Sequence, residues 1–313
     1  MKTEDDPLAI GPASTPRVKV RFASGDTTCT AWRYRGTNGG CVIMAGGTAV
    51  TKEPASDRFA ARFNDAGLSV LAFDFRHFGE SGGRPRQVVR IDEQLADFHA
   101  AIAYARSLPE VDPRRIAIWG FSLAGGHIFR VAAQDPDLAA AVAQAPLADG
   151  RAAAPNALRH MTPGALARVM GRALLDALGG LLGREPLLVP LAGPRGTVAT
   201  LTTPDSIDGD RALNPGNRYP DWRQEVAARV MLRIGLYRPS RFAPRVLCPL
   251  LVLAYDDDRS ALPGPAIHAG ERAPHGQVVR LPGSHYAAFL EGHEQAVDIE
   301  LSFLHRHLAD DAR

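Results

Sequence analysis

Five stretches of the chain run apolar with hardly a polar break: CVIMA (41–45), LSVLAF (68–73), RIAIW (115–119), AAAVAQA (139–145) and PLLVLAY (249–255). Runs this short and without alternation suit strands covered on both faces. Between them the period changes to that of a helix. SDRFAARFNDAG (56–67) predicts a helix capped by Ser56 and closed by Gly67. IDEQLADFHAAIAYARSL (91–108) sets Leu95, Phe98, Ile102 and Ala105 on one face, with Pro109 just past the end. GGHIFRVAAQ (125–134) reads as a third helix. Ahead of all of these, VKVRF (18–22) and CTAWRY (29–34) flank the turn residues ASGD, which predicts an antiparallel hairpin. Strand and helix alternate, the signature of a mostly parallel, doubly wound α/β sheet with helices on both faces and right-handed crossovers.

The alternation stops after residue 146. ALARVMGRALLDALGGLL (165–182) is helical in period, a Pro/Gly/Thr-rich stretch follows (186–220), and DWRQEVAARVMLRIGLY (221–237) predicts another helix. Strand rhythm returns at 249. The expected organisation is a core of residues 1–146 and 246–313 with an inserted helical cap over 147–245, since long insertions in such sheets border the site.

Composition narrows the classes. A chain of 313 residues, 45% apolar, can bury a large core. Its net charge of +2 and scattered arginines do not predict nucleic acid or an anionic membrane as partner. Cys29, Cys41 and Cys248 form no CxxC or metal-ligand spacing, and an odd count argues against a disulfide framework, so buried free thiols are expected. The opening MKTEDDPLAIGPASTP reads as a loose tail without the apolar centre of a signal peptide. No run approaches the roughly 18 apolar residues of a membrane span. A cytoplasmic location is the expectation, with oligomeric state left open, a dimer among the options.

Candidate chemistry sits in RIAIWGFSLAGG (115–126). A buried strand ends at a serine between small residues, and a helix follows at once. So sharp a turn holds its middle residue in a strained conformation and tolerates only small neighbours, here Gly120, Ala124 and Gly125. Ser122 would then stand at the carboxyl end of a strand, where open α/β sheets bind ligands. The N–H of Leu123 would point at an oxyanion formed on an acyl group attached there.

Serine needs a base. Of ten histidines, His285 alone follows a last apolar strand (277–283) and precedes the C-terminal helix. His127 lies too near Ser122 in the chain to reach back, and His99, His305 and His307 fall on helical patterns. An acid should follow the preceding strand, where Asp256, Asp257 and Asp258 stand together. Asp258 is favoured over Asp257 as the residue that orients His285. The loop after the first parallel strand, MAGGTAVTKE (44–53), offers the N–H of Thr48 as second oxyanion donor, with Gly46 and Gly47 allowing close approach.

Together FDFRHFGESGGRPRQ (73–87), IDEQLADFHAAIAYAR (91–106), RIAIWGFSLAGGH (115–127), AQAPLADG (143–150) and GSHYAAFLEG (283–292 region) resemble the α/β-hydrolase superfamily over residues 17–308. Within it they are similar to bacterial serine hydrolases of the dienelactone-hydrolase, X-Pro-peptidase and thiohydrolase or polyketide-transferase groups. The chain departs from that pattern in two places. Gly46-Gly47 stands where relatives often read His-Gly, which removes a side chain that braces the loop, and Ala124 stands where many have Gly. The resemblance implies Ser122 as nucleophile, His285 as base and an aspartate at 256–258 as orienter. It implies cleavage of an ester, thioester or lactone through an acyl-enzyme, with no metal or cofactor. The expected partner is a small, apolar acyl substrate; the cap leucines Leu174, Leu175, Leu178, Leu181 and Leu182 suggest a pocket for it, though a core-packing stripe explains them more simply. An acyltransferase or cyclase acting on polyketide-like acyl groups would use the same triad. A non-catalytic small-molecule receptor built on the hydrolase shell is the rival of another class.

Overall fold

The computed structural model describes residues 16–309; of the expected tail at 1–16, all but Pro16 lies outside them. β1 (Arg17–Ser24) and β2 (Thr27–Tyr34) form the expected antiparallel hairpin. β3 (Cys41–Ala45), α1 (Lys52–Asp65), β4 (Ser69–Phe73), α2 (Ile91–Arg106), β5 (Ile116–Phe121), α3 (Leu123–Ala132) and β6 (Ala140–Gln144) then alternate. An insertion follows, with α4 (Gly150–Arg159), α5 (Pro163–Leu181), β7 (Leu188–Pro190), α6 (Gly209–Leu213), β8 (Glu225–Ala227) and α7 (Met231–Ile234). The chain returns to the sheet through β9 (Leu250–Tyr255), α8 (Pro263–Arg272), β10 (Gly276–Leu281) and α9 (His293–Leu308).

Eight strands form one sheet in the order β1-β2-β4-β3-β5-β6-β9-β10. From β4 to β10 every neighbouring pair is parallel, and only the hairpin end is antiparallel. The continuous apolar runs follow from this. In β3, Cys41, Ile43 and Ala45 enter one apolar cluster while Val42 and Met44 enter the other, on the opposite face. Strands with two covered faces leave few positions for polar side chains, here Ser69 at the start of β4 and Gln144 at the end of β6. Cys29, Cys41 and Cys248 are buried free thiols, as expected. No described helix is long and apolar enough to cross a membrane.

Two predicted elements differ. The first helix begins at Lys52, not Ser56, because Pro54 falls in its first turn, where a missing N–H costs nothing. Ser56 is therefore inside the helix, its hydroxyl donating to the Lys52 carbonyl. The predicted helix over 221–237 is broken up: Glu225–Ala227 pairs with β7, a 3-10 turn spans Ala228–Val230, and only Met231–Ile234 is helical. Pairing with Leu188–Pro190 overrides the helical period there, and Arg229 turns inward to an ion pair with Asp176 at 2.7 Å.

Candidate active site

Between β5 and α3 the chain reverses in one residue. Ser122 has φ 57° and ψ −114°, a conformation that side chains rarely adopt. The turn leaves no room beside it: a Cβ added at Gly120 would lie 2.4 Å from the Ala124 carbonyl, and one at Gly125 would lie 2.9 Å from that of Gly120. Ser122 is held from both sides. Its N–H donates to Gln144 O (3.0 Å), and its carbonyl accepts from Gly126 and Leu147 (both 2.9 Å). The half-buried hydroxyl that results stands above the carboxyl ends of β5 and β6.

The other two residues arrive from beyond the insertion. His285 sits in the loop after β10, 1% exposed, with its Nε2 3.0 Å from Ser122 Oγ and its Nδ1 2.7 Å from Asp258 Oδ2. Its ring packs between Phe121 and Tyr286, both at 5.0 Å between centroids. Asp258 lies in the turn after β9, and its other oxygen accepts the N–H groups of Ser260 (2.8 Å) and Ala261 (2.6 Å). A carboxylate only accepts, so Nδ1 carries the ring proton and Nε2 is left to accept from the serine hydroxyl. Asp256 instead pairs with Arg280 at 2.7 Å, and Asp257 is exposed. Of the three adjacent carboxylates, Asp258 alone meets His285.

A second carboxylate supports the first. Asp205, buried in a 3-10 turn of the insertion, accepts from the N–H of Arg259 (2.8 Å) and from the hydroxyl of Ser260 (2.9 Å), so it grips the Asp258 turn from above. Burial alone would push the His285 pKa down. The charge and hydrogen bond of Asp258, with the charge of Asp205, outweigh it and hold that pKa above the usual 6.5. Burial likewise pushes the Asp205 carboxyl up, but the Arg259 N–H and the positive field of His285 hold it below the ordinary aspartate value.

The loop that carries Thr48 and the start of α3 that carries Leu123 both border the serine. The loop after β3 passes so close that a Cβ on Gly47 would be 3.0 Å from Ser122 Cβ. Among the described residues, the N–H groups of Thr48 in this loop and of Leu123 at the start of α3 have no hydrogen-bond partner. No side chain fits at Gly46, where a Cβ would lie 2.6 Å from the Val50 carbonyl. The brace comes from the insertion instead: Trp222 Nε1 donates to Ala49 O at 2.8 Å.

Over the serine lies a cavity of about 310 Å³, reached by Thr48, Ser122 and His285 and walled largely by Met161, Leu166, Met170, Leu213, Trp222 and Met231 of the insertion. The five cap leucines neither line it nor pack in a core. Leu174, Leu175, Leu178, Leu181 and Leu182 are 54–84% exposed. The inner stripe of α5 is made instead of small residues and one acid, Ala165, Val169, Ala173 and Asp176, with Asp176 locked to Arg229. Sequence reasoning did not find Asp205 or Trp222, because each acts across more than 50 residues and neither belongs to a motif.

Comparison with known proteins agrees with this architecture. Residues 38–189 match the family model described as serine aminopeptidase, S33. The chain is 38% identical over 292 residues to the quorum-quenching protein AidA of Acinetobacter baumannii, covering 92% of this chain and 94% of that protein. It is 25% identical to a thiohydrolase of Arthrinium phaeospermum, covering 88% of this chain and 91% of that one. Among solved structures, the α/β hydrolase GrgF of a Penicillium species superposes with a TM-score of 0.76 at 22% identity, over 94% of this chain and 99% of its own.

Proposed function

This chain belongs to the α/β-hydrolase superfamily, and on that premise we propose that it is a serine hydrolase cleaving an ester, thioester or lactone with an apolar acyl part. Ser122 Oγ attacks the carbonyl carbon as His285 Nε2 takes its proton. The imidazolium so formed faces Asp258 directly and Asp205 at longer range. The N–H groups of Leu123 and Thr48 receive the oxyanion, and their unpartnered state supports this role because nothing need be displaced to use them. Collapse expels the alcohol or thiol with the proton from His285 and leaves an acyl-serine. Water, deprotonated by the same imidazole, then releases the acid. A lactone opens by the same two steps.

The observation that carries the reading is the unbroken line from Asp258 Oδ2 through His285 to Ser122 Oγ, at 2.7 and 3.0 Å, ending beneath a cavity. The apolar walls favour an acyl chain over a charged or sugar-like substrate. Residues 147–245 act as the cap that supplies those walls. The thiohydrolase relative adds support for thioesters among the substrates.

A fluorophosphonate probe tests the assignment. The wild type should label stoichiometrically and Ser122→Ala should not label at all. In a panel of p-nitrophenyl esters, acyl thioesters and lactones, Ser122→Ala should lower kcat by about 10⁴–10⁶-fold. Unchanged labelling in Ser122→Ala, or a drop below tenfold, would reject Ser122 as nucleophile.

A further inference from the structure

We propose that the outer face of α5 is the two-fold interface of a homodimer, in which α5 of one copy lies antiparallel on α5 of the other. Three observations converge on it.

The first is periodic. Gly164, Ala167, Gly171, Leu174, Leu178 and Leu181 follow one another at spacings of three and four, the seam of a helix that packs lengthwise on another helix. Leu175 and Leu182 flank the seam on one side. It runs for about 26 Å, and it faces away from the protein: Leu174 is 54% exposed, Leu178 60% and Leu181 84%. The opposite face of the helix is already engaged. Ala165, Val169 and Ala173 are buried, Leu166 and Met170 line the cavity, and Asp176 is fixed by Arg229 and the Leu187 N–H. Rotation of α5 to hide the leucines is therefore excluded.

The second is size. The five leucines of this face leave about 600 Å² of surface open, at the top of the ~300–600 Å² that is the largest patch of a typical monomer. Two such faces together bury up to about 1,200 Å², at the lower edge of the ~1,200–2,000 Å² of stable specific interfaces. A second copy of this chain thus has the area the face requires.

Shape is the third. The seam is small at its start and bulky at its end. A Cβ added at Gly164 or Gly171 would meet nothing within 4 Å, so these positions are open notches. An antiparallel pair sets the small half of each helix against the bulky half of the other, with Gly164 across from the partner's Leu181, Ala167 across from the partner's Leu178 and Gly171 across from the partner's Leu174. A parallel pair would set bulk against bulk and leave the notches empty. The antiparallel arrangement is also the one a two-fold axis across the helix generates.

Sedimentation velocity from about 1 to 100 µM, the range relevant to an interface of this size, tests the pairing. The wild type should sediment as two chains. Leu178→Glu/Leu181→Glu should sediment as one, with circular dichroism and Tm showing the fold retained, because both side chains are exposed in the single chain. A wild type that stays single at 100 µM overturns the proposal, as does a folded variant that stays paired. Orientation is read by oxidative crosslinking, in which the buried native cysteines take no part. The Gly164→Cys/Leu181→Cys double variant should crosslink between chains. Neither single variant should, since equivalent positions lie about 25 Å apart in the antiparallel pair. Crosslinking of either single variant overturns the arrangement. A single-chain wild type that co-sediments with phosphatidylcholine/phosphatidylglycerol vesicles would assign the face to a lipid surface instead.

Discussion

Replacing Asp258 by Asn changes one atom and should abolish turnover, for a reason the hydrogen bonds specify. Oδ1 of Asp258 accepts two backbone N–H groups, from Ser260 and Ala261. An asparagine keeps those bonds only with its carbonyl oxygen in the same place. Its NH₂ then occupies the position 2.7 Å from His285 Nδ1 and obliges that nitrogen to accept. The ring proton moves to Nε2, which now donates to Ser122 Oγ and can no longer take its proton. Flipping the amide restores the tautomer but turns NH₂ against two backbone donors. Losing two buried hydrogen bonds costs about 2–6 kcal/mol, so only one molecule in roughly 30 to 3 × 10⁴ is competent. The loss of the charge that stabilises the imidazolium adds to this, and a fall in kcat of about 10⁴ is expected. The assay is kcat/KM on a chromogenic ester against pH. In the wild type, activity falls as pH drops through the His285 pKa, which lies above 6.5. In Asp258→Asn the acid limb should move to lower pH, because the first supporting charge is gone while burial remains. Asp257→Asn, whose side chain is exposed, should change kcat less than twofold. A kcat within tenfold of wild type in Asp258→Asn, or an unmoved acid limb, would refute the tautomer argument.

Two further outcomes follow from the same structure. Trp222→Phe removes the hydrogen bond to Ala49 O that steadies the Thr48 loop and should lower kcat about tenfold, measured by steady-state kinetics, as the loss of one bond of about 1–1.5 kcal/mol predicts. Burial pushes the Glu300 carboxyl up to about 8 from 4.5, while Trp119 Nε1 donates to it at 3.0 Å. Folding then takes up a proton between those two values, so wild-type stability falls as pH rises from 5 to 8. The slope approaches about 1.4 kcal/mol per pH unit in the middle of that window. Glu300→Gln retains the bond to Trp119 without the titration, so its Tm should exceed that of wild type increasingly as pH rises; parallel calorimetric curves would contradict this.

The parts of the fold legible in the sequence are those where both faces of a strand are covered. Cys41–Ala45, Ile116–Phe121 and Leu250–Tyr255 have no polar position because they have no solvent side. Ser122 was legible because its turn restricts its neighbours by contact distance, and His285 and Asp258 because each follows a sheet strand. Long-range pairing hid the rest. Val226 lies in an apparent helical period yet joins β7, and the leucines of α5 show the period of a helix without showing which side faces inward. Asp205 and Trp222 gain their roles only when the insertion folds back over the sheet.

That fold-back limits what can be exchanged. Besides the Leu147 N–H on the Ser122 carbonyl, the segment from 147 to 245 reaches behind the acid and behind a candidate oxyanion donor. Grafting a foreign lid onto this scaffold to alter substrate choice would therefore also loosen the chemistry, unless the donor segment carried its own equivalents of Asp205 and Trp222.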